Sequence, residues 1–403
     1  LGIVAFVVAS CWCTRLFIGL PRIGFVAIWL INIGLLLGVR NVPQLTTRQI
    51  QSTLHGLLPL SWISTLGQLA GMRGELPWTA TVHFVTLRLI AFQLDWHWTR
   101  IAVSSRSRNK QSDQTMPMTI MQPSLTSATQ RWKALAGHSC SLNEYTLFRA
   151  LTFSCYLPLY ATGPMASYNV YIHSRYRPWR VPFSETFLAL VRLMLTIIIL
   201  ELFTHIWHPS AIMYNLVPTL RSRLYQCCSP ADLHSLSYTT VLFLWLKFST
   251  IWGFSRLWAT LDGVVTVNNM PAFVNAVHTP SNFWRNWHGS FHCWLVRYLY
   301  KPLLQKSRQV TNTRQGWCLT CTTYVMESVA TVAVFAFVGF WHEVSVQLGF
   351  WFALFAVLVS LNNVWSKMTQ LKKVAVPPPQ NTSTLRRCVR RYWTATILSF
   401  AIV

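Results

Sequence analysis

Apolar residues run along the chain in long blocks, separated by short stretches that are polar or basic. Blocks at about 1–20, 22–38, 51–72 and 78–98 reach or approach the roughly 18 to 20 residues that a helix needs to cross a ~30 Å hydrocarbon core. They predict four spans joined by polar turns. Residues 145–165 return to an apolar pattern, but Pro158 and the Gly163-Pro164 pair predict a broken or re-entrant piece, since proline removes a helical donor and clashes with the preceding turn. "PFSETFLALVRLMLTIIILELFTHIWHP" is a span bracketed by Pro182 and Pro209, with Ser184 as its expected cap. Another is expected from about Leu236 to Ala259, and 323–365 holds two with "SVQLG" as the turn between them. The chain opens on Leu1 and closes inside "TILSFAIV", so it is expected to be fragmentary at both ends. The pattern predicts an all-α integral membrane protein, a polytopic bundle of about nine or ten transmembrane helices forming one domain over 1–403.

Composition agrees. Charged residues are 11% of the chain against 52% hydrophobic ones, far from the roughly 25% charged of a soluble domain. Against 10 Asp and Glu stand 34 Lys and Arg; in a soluble protein that would suggest a nucleic-acid partner. Here the basic residues gather between the apolar runs, in "SRSRNK", "HSRYRPWR", "KPLLQKSRQVTNTR" and "TLRRCVRRY", as cytoplasmic loops do under the positive-inside rule. Without a stacking or groove-reading module the charge points to anionic headgroups, and no nucleic acid is expected. The Ser-, Thr- and Gln-rich stretch 99–142 is expected to be a cytoplasmic loop. Cys318 and Cys321 form a CxxC with no second pair, so structural zinc is not expected. Cys227, Cys228 and Cys388, beside basic loops, are candidates for palmitate, with free thiols as the default. The sequon at Asn381 has basic neighbours and on the cytoplasmic side would be silent.

Candidate chemistry lies in polar groups that lipid tolerates poorly, each at a cost of about 2.5 to 3.5 kcal/mol on insertion scales. His342 stands in "AFVGFWHEVSVQLGFWF" with apolar and aromatic residues on both sides. In "NFWRNWHGSFHCWLVRYLYKPL" a continuous helix would bring Arg285, His288 and His292 within about 60° of one another, beside a stripe of Trp287, Phe291, Trp294 and Tyr298. Such an amphipathic segment lines a cavity or lies at the interface. His288 and His292 have the i, i+4 spacing of a metal pair, but only His205 and His208 offer a second cluster, so no metal is expected. No GxSxG elbow raises a serine. General-base chemistry remains: a neutral imidazole in a dry site takes a proton from an acceptor attacking an already activated thioester.

"GFSRLWATLDGV", "NMPAFVNAV", "NFWRNWHGSFHCWLVRYLYKPL" and "FVGFWHEVSVQLGFW" resemble successive signatures of the membrane-bound O-acyltransferase (MBOAT) family, in the branch of the glycerol-uptake protein and hedgehog acyltransferase. "LRLIAFQLDWHW" and "YLPLYATGPMASYNVYI" resemble that branch too. The likeness runs from about 52 to 365 and is most specific over 252–345, the expected catalytic core. It implies helices and re-entrant segments around a central tunnel, acyl-CoA as co-substrate from the cytoplasm, and an acceptor from the opposite face. It implies His342 as general base and His288 as the residue that assists or orients the acceptor. Trp284, Arg285 and Trp287 would shape the nearby wall, with Asp262 and Glu343 as further substrate-binding candidates. The expected activity is transfer of a fatty acyl group to a lipid hydroxyl in the endoplasmic reticulum, with a lyso-GPI anchor as favoured acceptor. Acylation of a protein or a lysophospholipid is the alternative within the class. Outside it stands glycerol or polyol transport, which predicts inverted repeats that the chain does not display. Relatives commonly have Pro-Arg-Cys where this chain has Pro271-Ala272-Phe273; that Cys holds a haem in hedgehog acyltransferase, so no haem is expected here. Lys301, and the lack of Gly-Gly after "YKPLL", also depart from the pattern.

Overall fold

Long apolar helices need partners for whatever polar groups they carry, and those partners organise the fold. The computed structural model describes residues 2–21, 23–41, 78–108, 127–160, 162–209, 228–277, 279–305, 317–342 and 346–375. Among the described residues there is helix, turn and irregular backbone, and no strand. The chain divides into two compact units, Leu1–Arg180 with Ala259–Thr266, and Val181–Trp258 with Val267–Val403.

In the first unit, α1 (Gly2–Arg15) and α2 (Gly24–Asn41) pack on α3 (Trp78–Arg108). One buried polar ring ties the three together: the Ser10 hydroxyl donates to Asn32 Oδ1 at 2.8 Å, Asn32 Nδ2 to Gln93 Oε1 at 2.6 Å, and Gln93 Nε2 to Ser10 Oγ at 2.8 Å. Two turns of α3 separate Arg88 from Asp95, and both are buried. Arg88 donates to the carbonyls of Ser154 (2.8 Å) and Leu159, which close α5 (Leu147–Ser154) and the short α6 (Leu157–Tyr160). Asp95 accepts from the Ser167 hydroxyl at 3.0 Å and Asn169 N at 3.2 Å, at the start of α7 (Tyr168–Tyr176). The cation thus meets helix C-termini and the anion a helix N-terminus, as the backbone dipoles favour.

The break expected around Gly163-Pro164 is present: α6 stops at Tyr160, and residues 162–167 are turn and irregular backbone. The stretch 99–142 differs from the expected loop. Helix α3 continues to Arg108, and α4 spans Ala128–Gly137, capped by the Ser127 hydroxyl accepting from Gln130 N at 3.2 Å and anchored by buried Trp132, Leu135 and Ala136. Residues 109–126 lie outside the described ones.

In the second unit, α8 (Phe183–Trp207) is mostly apolar and buries only Leu193, the state of a helix whose solvent is lipid. Its cap position is Pro182 rather than Ser184, since proline's fixed φ suits the helix entrance. Helix α9 (Pro230–Leu261) opens on a reciprocal box in which Asp232 accepts from Ser229 N at 2.9 Å and Asp232 N donates to Ser229 Oγ at 3.3 Å. Then come α10 (Pro280–Asn286), α11 (Gly289–Leu295) with a π-turn over Val296–Tyr300, α12 (Trp317–His342) and α13 (Val346–Ala375). Helices α12 and α13 pack closely, and a Cβ at Gly339 would meet Phe352 Cδ2 at 3.0 Å. Most of "SVQLG" is helical, because α13 already starts at Val346. Ser281 pins α10 to α13, donating to Asn363 Oδ1 and accepting from Asn362 Nδ2, both at 2.8 Å.

Three helices among the described residues are long and apolar enough to cross a membrane: Phe183–Trp207, Thr323–His342 and Leu348–Ser366. The apolar cores of α1 and α2 are shorter, and the expected span at 51–72 lies outside the described residues. Helix α3 covers the span expected at 78–98 but spends positions on Arg88, Gln93 and Asp95, all turned inward.

Candidate active site

The segment from Asn282 to Leu303 is not one continuous helix. Thr279 caps α10 through Asn282 N (3.2 Å), the helix stops at Asn286, and His288 takes a left-handed conformation with φ 52° and ψ 53° before α11 restarts at Gly289. The face expected to unite Arg285, His288 and His292 is therefore broken. Two backbone donors at the start of α11 explain the break. Gly289 N donates to the Asn269 carbonyl at 2.9 Å, and Ser290 N to Asn269 Oδ1 at 2.9 Å, so donors that no helix can satisfy internally are met by another segment. The approach requires glycine: a Cβ at 289 would stand 2.7 Å from the Asn268 carbonyl oxygen. Left-handed backbone at a non-glycine residue costs about 1–2 kcal/mol, which two buried hydrogen bonds offset.

The turn lays the His288 ring on Trp252 of α9, with centroids 4.3 Å apart and planes 14° from parallel, and beside Phe291 at 5.1 Å. His288 is half-buried, yet its Nε2 is sealed and has no hydrogen-bond partner. Burial, reinforced by the charge of His342, pushes its imidazole down from 6.5 to about 3. The ring is accordingly neutral near neutral pH. His342 ends α12 on an exposed position, stacked on Phe352 at 5.8 Å and 17°.

Trp284 joins the same aromatic wall, with Phe335 at 5.2 Å, Phe355 at 5.3 Å and Phe352 at 6.2 Å, and its Nε1 is buried without a partner. Phe352 thus touches both Trp284 and His342. Trp287 stacks on Phe283 at 5.4 Å and meets Phe248 edge-on at 6.2 Å. Arg285 is exposed. Asp262 belongs to the first unit, is exposed, and accepts the Tyr156 hydroxyl at 2.6 Å. Glu343 lies outside the described residues, as do Cys227, Cys388 and the Asn381 sequon. His292 is half-buried, its N–H donating to the His288 carbonyl at 3.0 Å. Among the described residues no three His, Cys, Asp or Glu side chains gather where they could hold a metal.

Trp252, Asn269 and Phe352 build this site and were not singled out by sequence. The Gly289 that follows His288 was the legible hint of a turn.

A half-buried, neutral histidine set in a wall of aromatic rings, within a helical apolar chain, is the kind of polar group that marks a candidate site in a membrane protein. The model of the MBOAT, membrane-bound O-acyltransferase family, matches residues 64–402, and the chain belongs to that family. It is 26% identical over 283 residues to "Membrane-bound O-acyltransferase GUP1" of Saccharomyces cerevisiae, covering 69% of this chain and 44% of the relative. With the gup1 protein of Schizosaccharomyces pombe it shares 24% over 275 residues, 68% of this chain and 41% of the relative. With "Protein-cysteine N-palmitoyltransferase HHAT" of Mus musculus it shares 26% over 208 residues, 51% and 38% respectively. The chain thus spans less than half the length of these relatives.

Proposed function

We propose that this chain carries the reaction centre of an acyl-CoA-dependent O-acyltransferase of the endoplasmic reticulum, with the lyso form of a GPI anchor as its acceptor. The observation that carries the reading is the His288 Nε2, buried, unpaired and held neutral within electrostatic reach of His342. A sealed polar atom without a partner costs about 1–3 kcal/mol, and such a cost is commonly tolerated where a substrate group completes the bond.

In the proposed reaction His342 takes the proton of the acceptor hydroxyl as its oxygen attacks the thioester carbonyl carbon. The new C–O bond forms, the tetrahedral adduct collapses, and the C–S bond breaks. The proton held by His342 passes to the departing thiolate, giving CoA-SH and the ester. His288 orients the hydroxyl through Nε2, and the aromatic wall of Trp284, Trp287 and Phe352 excludes water that would hydrolyse the thioester. The chemistry asks for acyl-CoA as co-substrate, with no haem or metal.

The name of the mouse relative, a protein-cysteine N-palmitoyltransferase, favours a protein acceptor as second reading. Microsomes carrying the chain, given radiolabelled palmitoyl-CoA with either a lyso-GPI lipid or an acceptor peptide, separate the two. Label in a diacyl lipid is the expected result. Label on the peptide alone would move the acceptor to protein, and polyol uptake with no acylated product would replace the reading by transport.

A further inference from the structure

The proposed reaction leaves one developing charge without a partner. As the acceptor oxygen adds to the thioester carbon, the π pair of the C=O bond moves onto the carbonyl oxygen, while His342 and His288 are both engaged with the acceptor hydroxyl. Acyl-transfer sites meet such an oxyanion with fixed hydrogen-bond donors, and removing one costs about 10²–10³ in turnover. A donor of this kind is buried, rigidly held and unpaired before substrate arrives.

Asn269 has these properties. It is 2% exposed. Its main-chain carbonyl accepts from Gly289 N and its Oδ1 from Ser290 N, each at 2.9 Å, so Asn269 is tied to the two residues that directly follow His288. Ser290 is itself buried, and turning the amide over would set its N–H groups against the Ser290 N–H, so the side chain is fixed in one orientation. That orientation leaves the Nδ2 amino group buried with no hydrogen-bond partner, as the His288 Nε2 is. Two sealed, unpaired polar atoms thus stand on segments that are hydrogen-bonded to each other at the very next residue. An amide NH2 only donates, so what completes it is an acceptor oxygen. We propose that Asn269 is a further catalytic residue of the acyl transfer, its Nδ2–H donating to the carbonyl oxygen of the acyl thioester. The bond strengthens as that oxygen takes up negative charge and relaxes when the C=O bond re-forms and the C–S bond breaks. The proposal rests on the acyl-transfer reading and adds the group that stabilises its tetrahedral adduct.

Asn269→Asp keeps an oxygen for Ser290 N and the main-chain acceptor for Gly289 N, and removes the amino group. The purified full chain in detergent micelles is titrated with two unreactive analogues of palmitoyl-CoA: a ketone, in which a methylene replaces the thioester sulfur, and a thioether, in which a methylene replaces the carbonyl. The parent is expected to hold the ketone about fivefold more tightly, the size of one neutral hydrogen bond. Asn269→Asp should lose that preference and retain its affinity for the thioether. In transfer from labelled palmitoyl-CoA its kcat should fall about 10²–10³ with KM little changed. A parent that does not discriminate, as when the amide merely holds a buried water, would overturn the proposal. So would a variant that still prefers the ketone, or one whose affinity for both analogues falls together, the pattern of a purely structural role. If Asn269→Asp does not fold, Asn269→Ser, whose shorter hydroxyl still accepts from a backbone N–H, takes its place in both measurements, and a ketone preference retained there counts against the proposal. A parent that prefers the ketone yet transfers no label would fault the enzymatic reading alone; one that binds neither analogue would sink both.

Discussion

Replacing Gly289 by alanine sets helix propensity against packing. Position 289 opens α11, and alanine is the better helix former by up to about 1 kcal/mol, so propensity alone predicts a more stable protein. The structure predicts the reverse. The new Cβ would lie 2.7 Å from the Asn268 carbonyl oxygen, a backbone atom that cannot swing aside as a side-chain tip can. Relief means moving the 268–269 segment from the start of α11, which breaks the Gly289 N and Ser290 N hydrogen bonds to Asn269. Ser290 and Asn269 are both buried, so each donor left unpaired costs about 1–3 kcal/mol. Set against the propensity gain, the net loss is about 1–5 kcal/mol. Thermal unfolding of Gly289→Ala in detergent, followed by loss of the monodisperse peak on size exclusion, reads this directly. A variant that melts at or above the parent would refute the account of the left-handed turn.

Asp95→Ala should cost about 2–4 kcal/mol by stranding the Ser167 hydroxyl and Asn169 N, with Asp95→Asn milder; chemical denaturation midpoints compare them. Trp252→Ala should lower the acyl-transfer turnover about tenfold through loss of the ring stacked on His288, while Trp252→Phe keeps most of the rate. The depressed imidazole of His288 carries a pH signature: its folded value is about 3 against 6.5 when unfolded, so below 6.5 the unfolded chain takes up a proton that the folded chain refuses. Stability should therefore fall as pH drops from 6.5 toward 4, and His288→Gln should flatten that slope in unfolding measured across pH. A slope unchanged by the substitution would contradict the buried, neutral ring.

Much of the helical plan was legible because lipid demands long apolar runs. The helix bracketed by Pro182 and Pro209 and the break near Gly163 follow directly from residue type. Helix α4 escaped because its polar neighbours hid a Ser127 cap and a short apolar stripe. The turn at His288 escaped for a different reason. A helical wheel assumes continuity, and the break depends on Asn268 and Asn269, which lie about twenty residues earlier in the chain and meet Gly289 and Ser290 only after folding. Trp252 and Phe352 read as ordinary apolar residues on spans; only tertiary packing turns them into the supports of two histidines. His288 and His342 were legible because an imidazole amid aromatic residues is costly to place in a membrane.

The division of labour between the two histidines is the centre of the account, and one comparison bears on it most directly. Initial rates of transfer from labelled palmitoyl-CoA to the lyso-lipid acceptor are measured for the parent, His288→Ala and His342→Ala at equal protein level. Loss of a general base is worth about 10²–10⁴ in rate, so His342→Ala should fall into that range and His288→Ala should fall less. A His342→Ala protein that transfers label as fast as the parent would contradict the assignment of the base.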